Sequence, residues 1–216
     1  MGFKPSELTH ILIDLDDTVY PTEKGIWGQI SVRMDSYLTD VMGVPFEETH
    51  ALRRRLFQTY GPTLRGLQIE KNVDMQQYLD YVHDISLDGV LAPDPELRRV
   101  LTQIPQQKWI FTNASLEHAE KVLDRLQLRD LFMGIIDITA IYPWCKPYPE
   151  AFQTALVLCG NPEPERCLFI DDSIRNLDTA AELRLKTVLI SDQPSLFHPT
   201  ISHLELLEDL LHANYV

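Results

Sequence analysis

Cysteine and basic residues are scarce in this sequence. Its 216 residues include three cysteines, and none of them belongs to a CxxC pair or a Cys/His cluster. Neither a disulfide framework nor a zinc site is therefore indicated. Lysine and arginine number 19 against 32 aspartates and glutamates, which gives a formal net charge of -13. Because this charge repels nucleic acid and anionic membrane surfaces, we expect neither as a partner.

Long apolar runs are missing near the N-terminus. The apolar stretch at residues 11–13 ends at Asp14. A signal peptide needs at least about 7 consecutive apolar residues, and a membrane span needs about 20. We therefore expect neither segment. A cytoplasmic location follows from this, and the absence of a disulfide framework also favours it.

Five short apolar runs bounded by turn residues predict buried strands. They lie at residues 9–13, 108–112, 134–139, 167–170 and 187–190. Helical patterns at residues 115–126, 149–158 and 173–183 alternate with the later runs. This alternation predicts the α/β class, with a parallel sheet covered by helices on both faces. Ser202 and Glu205 have the spacing of a capping box, which predicts a last helix that begins there.

The segment between the first two predicted strands has helical character. Residues 19–93 contain no convincing strand, and apolar side chains such as Ile26, Ile30 and Val41 recur at helical spacing. We therefore predict a helical cap subdomain over residues 19–93. It is inserted into a core formed by residues 1–18 and 94–216.

Two acidic pairs follow predicted strands. Asp14 and Asp16 come after the first strand, and Asp171 and Asp172 come after the fourth. Ligands of open parallel sheets bind at the carboxyl ends of the strands, so we expect the four carboxylates to lie together. Such carboxylates repel one another unless a cation or a proton separates them, and Mg²⁺ prefers oxygen ligands of this kind. The sequence therefore predicts a Mg²⁺ site at this edge of the sheet.

Polar groups that can hold a phosphate follow the second and third predicted strands. Thr112 and Asn113 end the second strand and lead into a helix, where a hydroxyl and backbone N–H groups can bind phosphate oxygens. Lys146 follows the third strand and supplies a positive charge opposite the acidic pairs. These three residues form the candidate phosphate-binding group.

The order of these motifs resembles that of the haloacid dehalogenase superfamily. The motifs are DLDDTVYP from residue 14, FTN from residue 111, KPYPEAF from residue 146 and FIDDS from residue 169. The resemblance implies a Rossmann-like, doubly wound parallel sheet with a helical cap inserted after the first motif. Further strings, among them YGPTLRGL from residue 60 and PDPELRRVL from residue 93, resemble the pyrimidine 5'-nucleotidase branch.

The resemblance implies a Mg²⁺-dependent phosphomonoester hydrolase and assigns the site residues. Asp14 would be the nucleophile that becomes an aspartyl phosphate. Asp16 would protonate the leaving alkoxide and then activate water. Lys146 would neutralise both the phosphate and the nucleophile. The other implied contacts are Thr112 and Asn113 to the phosphoryl oxygens, and Asp14, the Asp16 carbonyl, Asp171 and Asp172 to Mg²⁺.

The branch resemblance implies that the substrate is a pyrimidine nucleoside 5'-monophosphate such as UMP or CMP. Residues 60–67 are the candidate recognition loop. Gly61, Pro62 and Gly66 would shape a turn in it. Thr63 and Arg65 would offer polar groups to the base or the ribose.

Other functions fit part of the pattern. A phosphatase or mutase acting on a sugar phosphate or another small phosphate ester retains the same acids and differs chiefly in the cap. A hydrolytic dehalogenase has no alkoxide to protonate and no need for metal, so Asp16 and the acidic pair disfavour it. A phospho-acceptor or binding module is the non-enzymatic alternative. In a signalling receiver domain, however, the acidic pair comes early and the phosphorylated aspartate in mid-chain.

Overall fold

The computed structural model describes residues 5–213. The chain divides into two compact units. One contains the residues up to Lys24 and from Leu91 onward, and the other is Gly25–Val90. The sequence predicts these boundaries after residues 18 and 93. Gly25 has a φ angle of 69°, a left-handed conformation that favours glycine, directly before the first helix of the second unit.

A parallel sheet of six strands forms the centre of the first unit in the described part of the chain. The strands are β1 His10–Ile13, β2 Gln107–Phe111, β3 Gly134–Ile136, β4 Cys167–Asp171, β5 Lys186–Ile190 and β6 Thr200–Ile201. Their spatial order is β3-β2-β1-β4-β5-β6, which reverses between β1 and β4 as in doubly wound α/β folds. The predicted fold class is confirmed. Strand β6 was not predicted, because two residues are too few to form an apolar run.

The helices agree closely with the sequence signals. In chain order they are α1 Ile26–Ser36, α2 Phe46–Tyr60, α3 Thr63–Lys71, α4 Met75–Val82, α5 Pro95–Gln103, α6 Leu116–Leu126, α7 Pro149–Leu158, α8 Ile174–Glu182 and α9 Leu207–Ala213. The side chains of Asp94 and Ser115 accept hydrogen bonds from backbone N–H groups three residues on, at 2.9 and 3.3 Å. They therefore cap α5 and α6.

The predicted capping box at Ser202 is wrong. The chain forms a 3-10 turn at Leu204–Leu206, whose cap position is His203, and α9 follows that turn. The reason is that Ile201 still belongs to the sheet, where its carbonyl accepts a hydrogen bond from the N–H of Ser191 at 3.0 Å. The backbone therefore stays extended past the position at which the capping box would begin a helix.

The core of the first unit explains why its strands are so apolar. Leu12, Phe111 and Phe169 on adjacent strands are completely buried, because helices cover the sheet. Phe152 of α7 packs edge-on against both phenylalanines, with ring centroids 5.2 Å apart in each pair. Each such aromatic pair contributes about 0.5–1.5 kcal/mol beyond the burial of its area. This packing fixes the strand ends that carry the polar residues.

The second unit is helical in its described residues, with α1 to α4 and a π-helical turn at Tyr37–Val41. Ile26 and Ile30 are buried, as their helical spacing predicts. Val41 is 46% exposed, so its predicted place on the buried face is wrong. The wider turn explains the difference: the N–H of Met42 bonds to the carbonyl of Tyr37, five residues back. This spacing rotates Val41 out of the apolar stripe.

The loop conformation predicted for residues 60–67 is also wrong. Only Gly61 and Pro62 separate α2 from α3, so most of the segment is helical. Gly61 has a φ angle of 83° and makes the turn. Gly66 lies inside α3, where an added Cβ would lie 2.6 Å from a methyl carbon of Leu56. Gly66 therefore allows α3 to pack closely against α2 and shapes no turn.

Candidate active site

The two acidic motifs meet at the point where the strand order reverses. Ile13 of β1 pairs with Ile170 of β4, and the Asp14 N–H donates to the Ile170 carbonyl at 2.9 Å. Asp14 therefore follows β1 beside Asp171, the last residue of β4. A site at this switch point is the usual location for ligands in a doubly wound sheet.

Lys146 joins these carboxylates. Its Nζ atom donates to Asp14 Oδ1 at 2.6 Å and to Asp171 Oδ2 at 2.8 Å. The side chain of Asn113 fixes the lysine backbone, because its Oδ1 accepts the Lys146 N–H at 2.8 Å and its Nδ2 donates to the Lys146 carbonyl at 2.9 Å. The chain segments after β1, β2, β3 and β4 thus converge on one charged group.

Burial and charge oppose each other at this group. Burial is the largest influence on the pKa of Asp14 and raises it well above its usual range, although the nearby Lys146 lowers it. Burial also lowers the pKa of Lys146, but the charges of Asp14 and Asp171 outweigh burial and raise that pKa overall. The lysine is therefore held as a cation in a place where water cannot solvate it.

The residues present fit a divalent cation. Carboxylate oxygens of Asp14, Asp171 and Asp172 all lie within 4.8 Å of one another. Partial enclosure, followed by the charge of Asp171, raises the pKa of Asp172 to about 7. Three close carboxylates share a single ammonium group, so protons or a further cation must balance the remaining negative charge. An all-oxygen donor set of this kind suits Mg²⁺.

Asp171 is held in place by more than the lysine. Its Oδ1 accepts the Ser173 N–H at 2.8 Å, and both of its oxygens lie 3.0 Å from Asn176 Nδ2. Ser173 occupies the cap position of α8 as the sequence predicts, but its hydroxyl makes no capping hydrogen bond. The carboxylate of Asp171 takes that N–H instead, which ties the start of α8 to the site.

Thr112 and Asn113 lie at the carboxyl end of β2, as predicted. The Thr112 hydroxyl is buried and accepts the Ala114 N–H at 3.0 Å, which leaves its own hydrogen able to bond to a ligand. Both polar atoms of the Asn113 side chain are engaged with Lys146. Within residues 5–213 no group accepts a hydrogen bond from the Asn113 backbone N–H. That N–H, not the side-chain amide, is therefore the group of Asn113 that can still bond to a ligand.

Asp16 has two partners that sequence reasoning did not identify. Its Oδ1 lies 2.9 Å from His118 Nε2 on α6, and the Tyr20 hydroxyl donates to the same oxygen. His118 is 1% exposed and Tyr20 is 2% exposed. Tyr20 belongs to the same acidic motif as Asp16, and this closeness in sequence could have indicated that the two side chains meet. His118 lies 102 residues away in sequence, and only its place in the first turns of α6 pointed to the sheet edge.

Asp17 was also missed. It is a buried residue with a φ angle of 58°, and its Oδ1 has no hydrogen-bond partner within residues 5–213. Burial, followed by the charges of Asp16 and Glu23, raises the pKa of Asp17 to about 6. A buried oxygen without a partner is unusual in folded proteins. Here it adds to the negative charge around the acidic cluster.

The family model described as haloacid dehalogenase-like hydrolase matches residues 8–184. The chain belongs to this family of hydrolases. Among curated proteins, Phosphate metabolism protein 8 of Saccharomyces cerevisiae is 28% identical over 190 residues, which cover 82% of this chain and 59% of that protein. The chain therefore spans less than two thirds of the length of this relative.

Solved structures share the fold of this hydrolase at low sequence identity. CbbY from Rhodobacter sphaeroides in complex with phosphate has a TM-score of 0.66 at 17% identity, covering 93% of this chain and 96% of its own. YfnB from Bacillus subtilis bound to magnesium has a TM-score of 0.62 at 18% identity, covering 94% and 98%. The 2-haloacid dehalogenase from Pseudomonas syringae has a TM-score of 0.59 at 17% identity, covering 95% and 99%. The fold alone thus leaves the reaction open.

The predicted substrate residues lie in the helical unit of this hydrolase. Thr63 is buried at the start of α3, and Arg65 is half-buried in its first turn. Within residues 5–213 the Arg65 guanidinium makes no hydrogen bond or ion pair, in contrast to Arg53, which bonds to Asp35 at 3.0 Å. Arg65 is therefore available to a ligand.

Within residues 5–213, no helix is both long enough and apolar enough to cross a bilayer.

Proposed function

We propose that this hydrolase is a Mg²⁺-dependent phosphatase that forms an aspartyl phosphate on Asp14. One observation carries the proposal: a buried lysine, Lys146, lies between the nucleophile candidate Asp14 and the acidic pair. A carboxylate that attacks a phosphate dianion needs positive charge beside it, because the two anions otherwise repel each other. The lysine supplies that charge from within the protein.

In the first half-reaction, Asp14 attacks phosphorus. A bond forms between its carboxylate oxygen and phosphorus, while the bond from phosphorus to the leaving oxygen breaks and its electron pair stays on that oxygen. Asp16 gives the leaving oxygen a proton, so an alcohol departs. The Thr112 hydroxyl, the Asn113 N–H and Lys146 hold the phosphoryl oxygens. Asp14, the Asp16 carbonyl, Asp171 and Asp172 would hold Mg²⁺, which when bound supplies positive charge to the phosphoryl group.

In the second half-reaction, Asp16 acts as a base. It takes a proton from a water molecule that attacks phosphorus, the bond to Asp14 breaks, and inorganic phosphate leaves. The two steps need the same carboxylate first protonated and then ionised, a cycle that the reaction itself completes. No external proton carrier is required.

Two alternatives are separated by their products. A hydrolytic dehalogenase has no use for an acid at Asp16, yet this carboxylate is held by two buried side chains. A mutase would return the phosphoryl group to a second hydroxyl of a sugar phosphate. Release of inorganic phosphate from a single ester in the presence of Mg²⁺ supports the phosphatase, whereas an isomerised phosphate ester supports the mutase.

Replacing Asp16 by asparagine is expected to harm poor leaving groups selectively. Asparagine cannot give a proton, and a proton matters only when the leaving oxygen is strongly basic. Benzyl phosphate and p-nitrophenyl phosphate have similar shapes but very different leaving groups. We expect kcat/KM for benzyl phosphate to fall about 10²–10⁴-fold, with a much smaller loss for p-nitrophenyl phosphate. Equal losses for both esters would show that Asp16 is not the general acid.

For the substrate we infer a pyrimidine nucleoside 5'-monophosphate. The support is the resemblance of YGPTLRGL and the other strings to the nucleotidase branch. The name of the yeast relative speaks only of phosphate metabolism. A phosphoryl site cannot by itself distinguish leaving groups, so selectivity needs further contacts with the nucleoside. Arg65 is the candidate for such a contact because its guanidinium has no partner within residues 5–213.

The Arg65→Ala variant tests this assignment. Loss of a charged hydrogen bond costs roughly 1.5–3 kcal/mol, so kcat/KM for UMP is expected to fall by about one to two orders of magnitude. The value for p-nitrophenyl phosphate should stay nearly unchanged. Arg54→Ala is the matched control, since Arg54 is an exposed arginine of the same helical unit. A wild-type preference for sugar phosphates over UMP and CMP, or equal changes with both test esters, would contradict the nucleotide assignment.

A further inference from the structure

Two buried polar atoms of the helical unit lack a hydrogen-bond partner within residues 5–213. One is the hydroxyl oxygen of Tyr78 on α4, a residue that is 1% exposed. The other is Nε of Arg53 on α2. Buried polar atoms of folded proteins almost always have a partner, and where no protein group supplies it an ordered water molecule does. These two atoms therefore indicate a ligand inside the unit.

The rest of the Arg53 guanidinium is held by α1. Its Nη1 donates to Asp35 Oδ1 at 3.0 Å and to both the carbonyl and the Oγ atom of Ser31 at 2.9 Å. The arginine side chain is 14% exposed and that of Asp35 is 10% exposed, so this is an enclosed ion pair. The guanidinium is planar, and its N–H groups form a rigid fork. Fixing Nη1 therefore fixes the direction of the Nε hydrogen as well.

Tyr78 lies beside this ion pair. Its ring packs edge-on against that of Tyr37, which directly follows α1, with ring centroids 4.9 Å apart. Burial is the main influence on the pKa of Tyr78 and raises it, while the neighbouring charge of Arg53 lowers it and that of Asp35 raises it further. The hydroxyl therefore stays protonated and has a hydrogen to donate. Two hydrogen-bond donors, one from α2 and one from α4, thus lie near the same ion pair.

We infer that the helical unit contains a binding site for one buried water molecule, which accepts hydrogen bonds from Tyr78 Oη and Arg53 Nε. This site is independent of the proposed phosphatase function. A buried water typically makes about three hydrogen bonds, so it also has a hydrogen to donate. Asp35 Oδ2 is the acceptor for it: within residues 5–213 this oxygen accepts no hydrogen bond, and His50 Nε2 is 3.8 Å away. The water joins α1, α2 and α4.

Charge favours water over an anion as the ligand. The positive charge of Arg53 is already balanced by the carboxylate of Asp35 at 3.0 Å. A chloride ion would bring a second negative charge into a place where burial makes an unbalanced charge costly. Water adds no charge, accepts from both donors and can donate to the carboxylate. It is therefore the small ligand that satisfies all three groups.

The direct test is a crystal structure that resolves ordered water. We expect a water peak about 2.5–3.2 Å from both Tyr78 Oη and Arg53 Nε. A direct hydrogen bond between the two side chains, or the lack of any peak near both atoms, would overturn the inference. Crystals soaked in bromide separate water from an anion, because bromide scatters anomalously. A bromide peak at this place would also overturn it.

The stability of Tyr78→Phe has a sign that depends on the water. If the hydroxyl had no partner, its removal would relieve a desolvated polar group and raise the unfolding temperature. If the hydroxyl bonds to the water, its removal leaves the water short of a partner, and we expect the unfolding temperature to fall by about 2–4 °C. A rise or no change contradicts the site. Tyr37→Phe is the matched control and should have almost no effect, because Tyr37 is buried in the same unit but its hydroxyl is not among the buried unpartnered atoms.

A double variant tests whether Tyr78 and Arg53 act through one shared ligand. Arg53→Lys keeps a positive charge beside Asp35 but removes the Nε hydrogen. We expect Tyr78→Phe to lower the unfolding temperature less in the Arg53→Lys background than in the wild type, because the water there has already lost one of its two donors. Equal losses in both backgrounds would show that the two residues share no ligand.

Discussion

Asparagine in place of Asp14 is expected to lower phosphatase turnover at least about a thousandfold. The amide has nearly the same shape as the carboxylate, but it lacks the charge and the nucleophilic oxygen needed to form an acyl phosphate. We expect the variant to remain folded. Burial already disfavours the charge on Asp14 and raises its pKa, and Lys146 keeps its second partner, Asp171. Thermal unfolding beside the activity assay separates loss of chemistry from loss of fold.

The wild-type enzyme should carry the phosphoryl group on Asp14 itself. Acyl phosphates survive acid and break down in base, so mass spectrometry after an acid quench can locate the adduct. Asp137→Asn is the matched control, because Asp137 is a buried aspartate just after β3 whose carboxylate accepts bonds from Thr139 and Ala140. Its activity should stay close to that of the wild type. Appreciable turnover by Asp14→Asn, or an adduct on another residue, would end the mechanism proposed for Asp14.

The charged centre of the site could be predicted from sequence for a physical reason. Asp14, Lys146 and Asp171 each follow an apolar run, and the carboxyl ends of parallel strands meet at one edge. Knowing the strands was therefore enough to predict that these side chains lie together. In the structure, Lys146 Nζ bonds to carboxylate oxygens of Asp14 and Asp171 at 2.6 and 2.8 Å. These three residues follow or end three different strands.

Contacts that depend on side-chain packing could not be predicted in this way. His118 reaches Asp16 from a helix, and its direction depends on how α6 packs on the sheet. The sequence likewise did not indicate that the Asn113 side chain turns toward the Lys146 backbone. Gly66 illustrates a different ambiguity, since glycine permits both tight turns and close helix contacts. Sequence alone does not say which of these uses applies.

Removal of divalent metal is expected to abolish phosphatase activity, and addition of Mg²⁺ is expected to restore it. The carboxylates of Asp14, Asp171 and Asp172 lie within 4.8 Å of one another, and one lysine cannot balance all three. A phosphate ester would bring still more negative charge to this place. The protein should therefore bind phosphate esters weakly without the cation, and a chelator such as EDTA should inactivate it.

Asp172→Ala separates the role of the metal from a general effect of chelation. Asp172 is the exposed member of the cluster, so its loss leaves the buried Asp14–Lys146–Asp171 group intact. A ligand at 100 times its Kd stabilises the folded state by about 2.7 kcal/mol, so Mg²⁺ should raise the unfolding temperature of the wild type. Mg²⁺ should raise the unfolding temperature of Asp172→Ala far less, and it should not restore the activity of this variant at the concentration that saturates the wild type.

Asp192→Ala, at an exposed aspartate just after β5, is the control and should respond to Mg²⁺ as the wild type does. Full activity of the wild type in EDTA, or an Mg²⁺ response of Asp172→Ala equal to that of the control, would contradict a metal site built on these carboxylates.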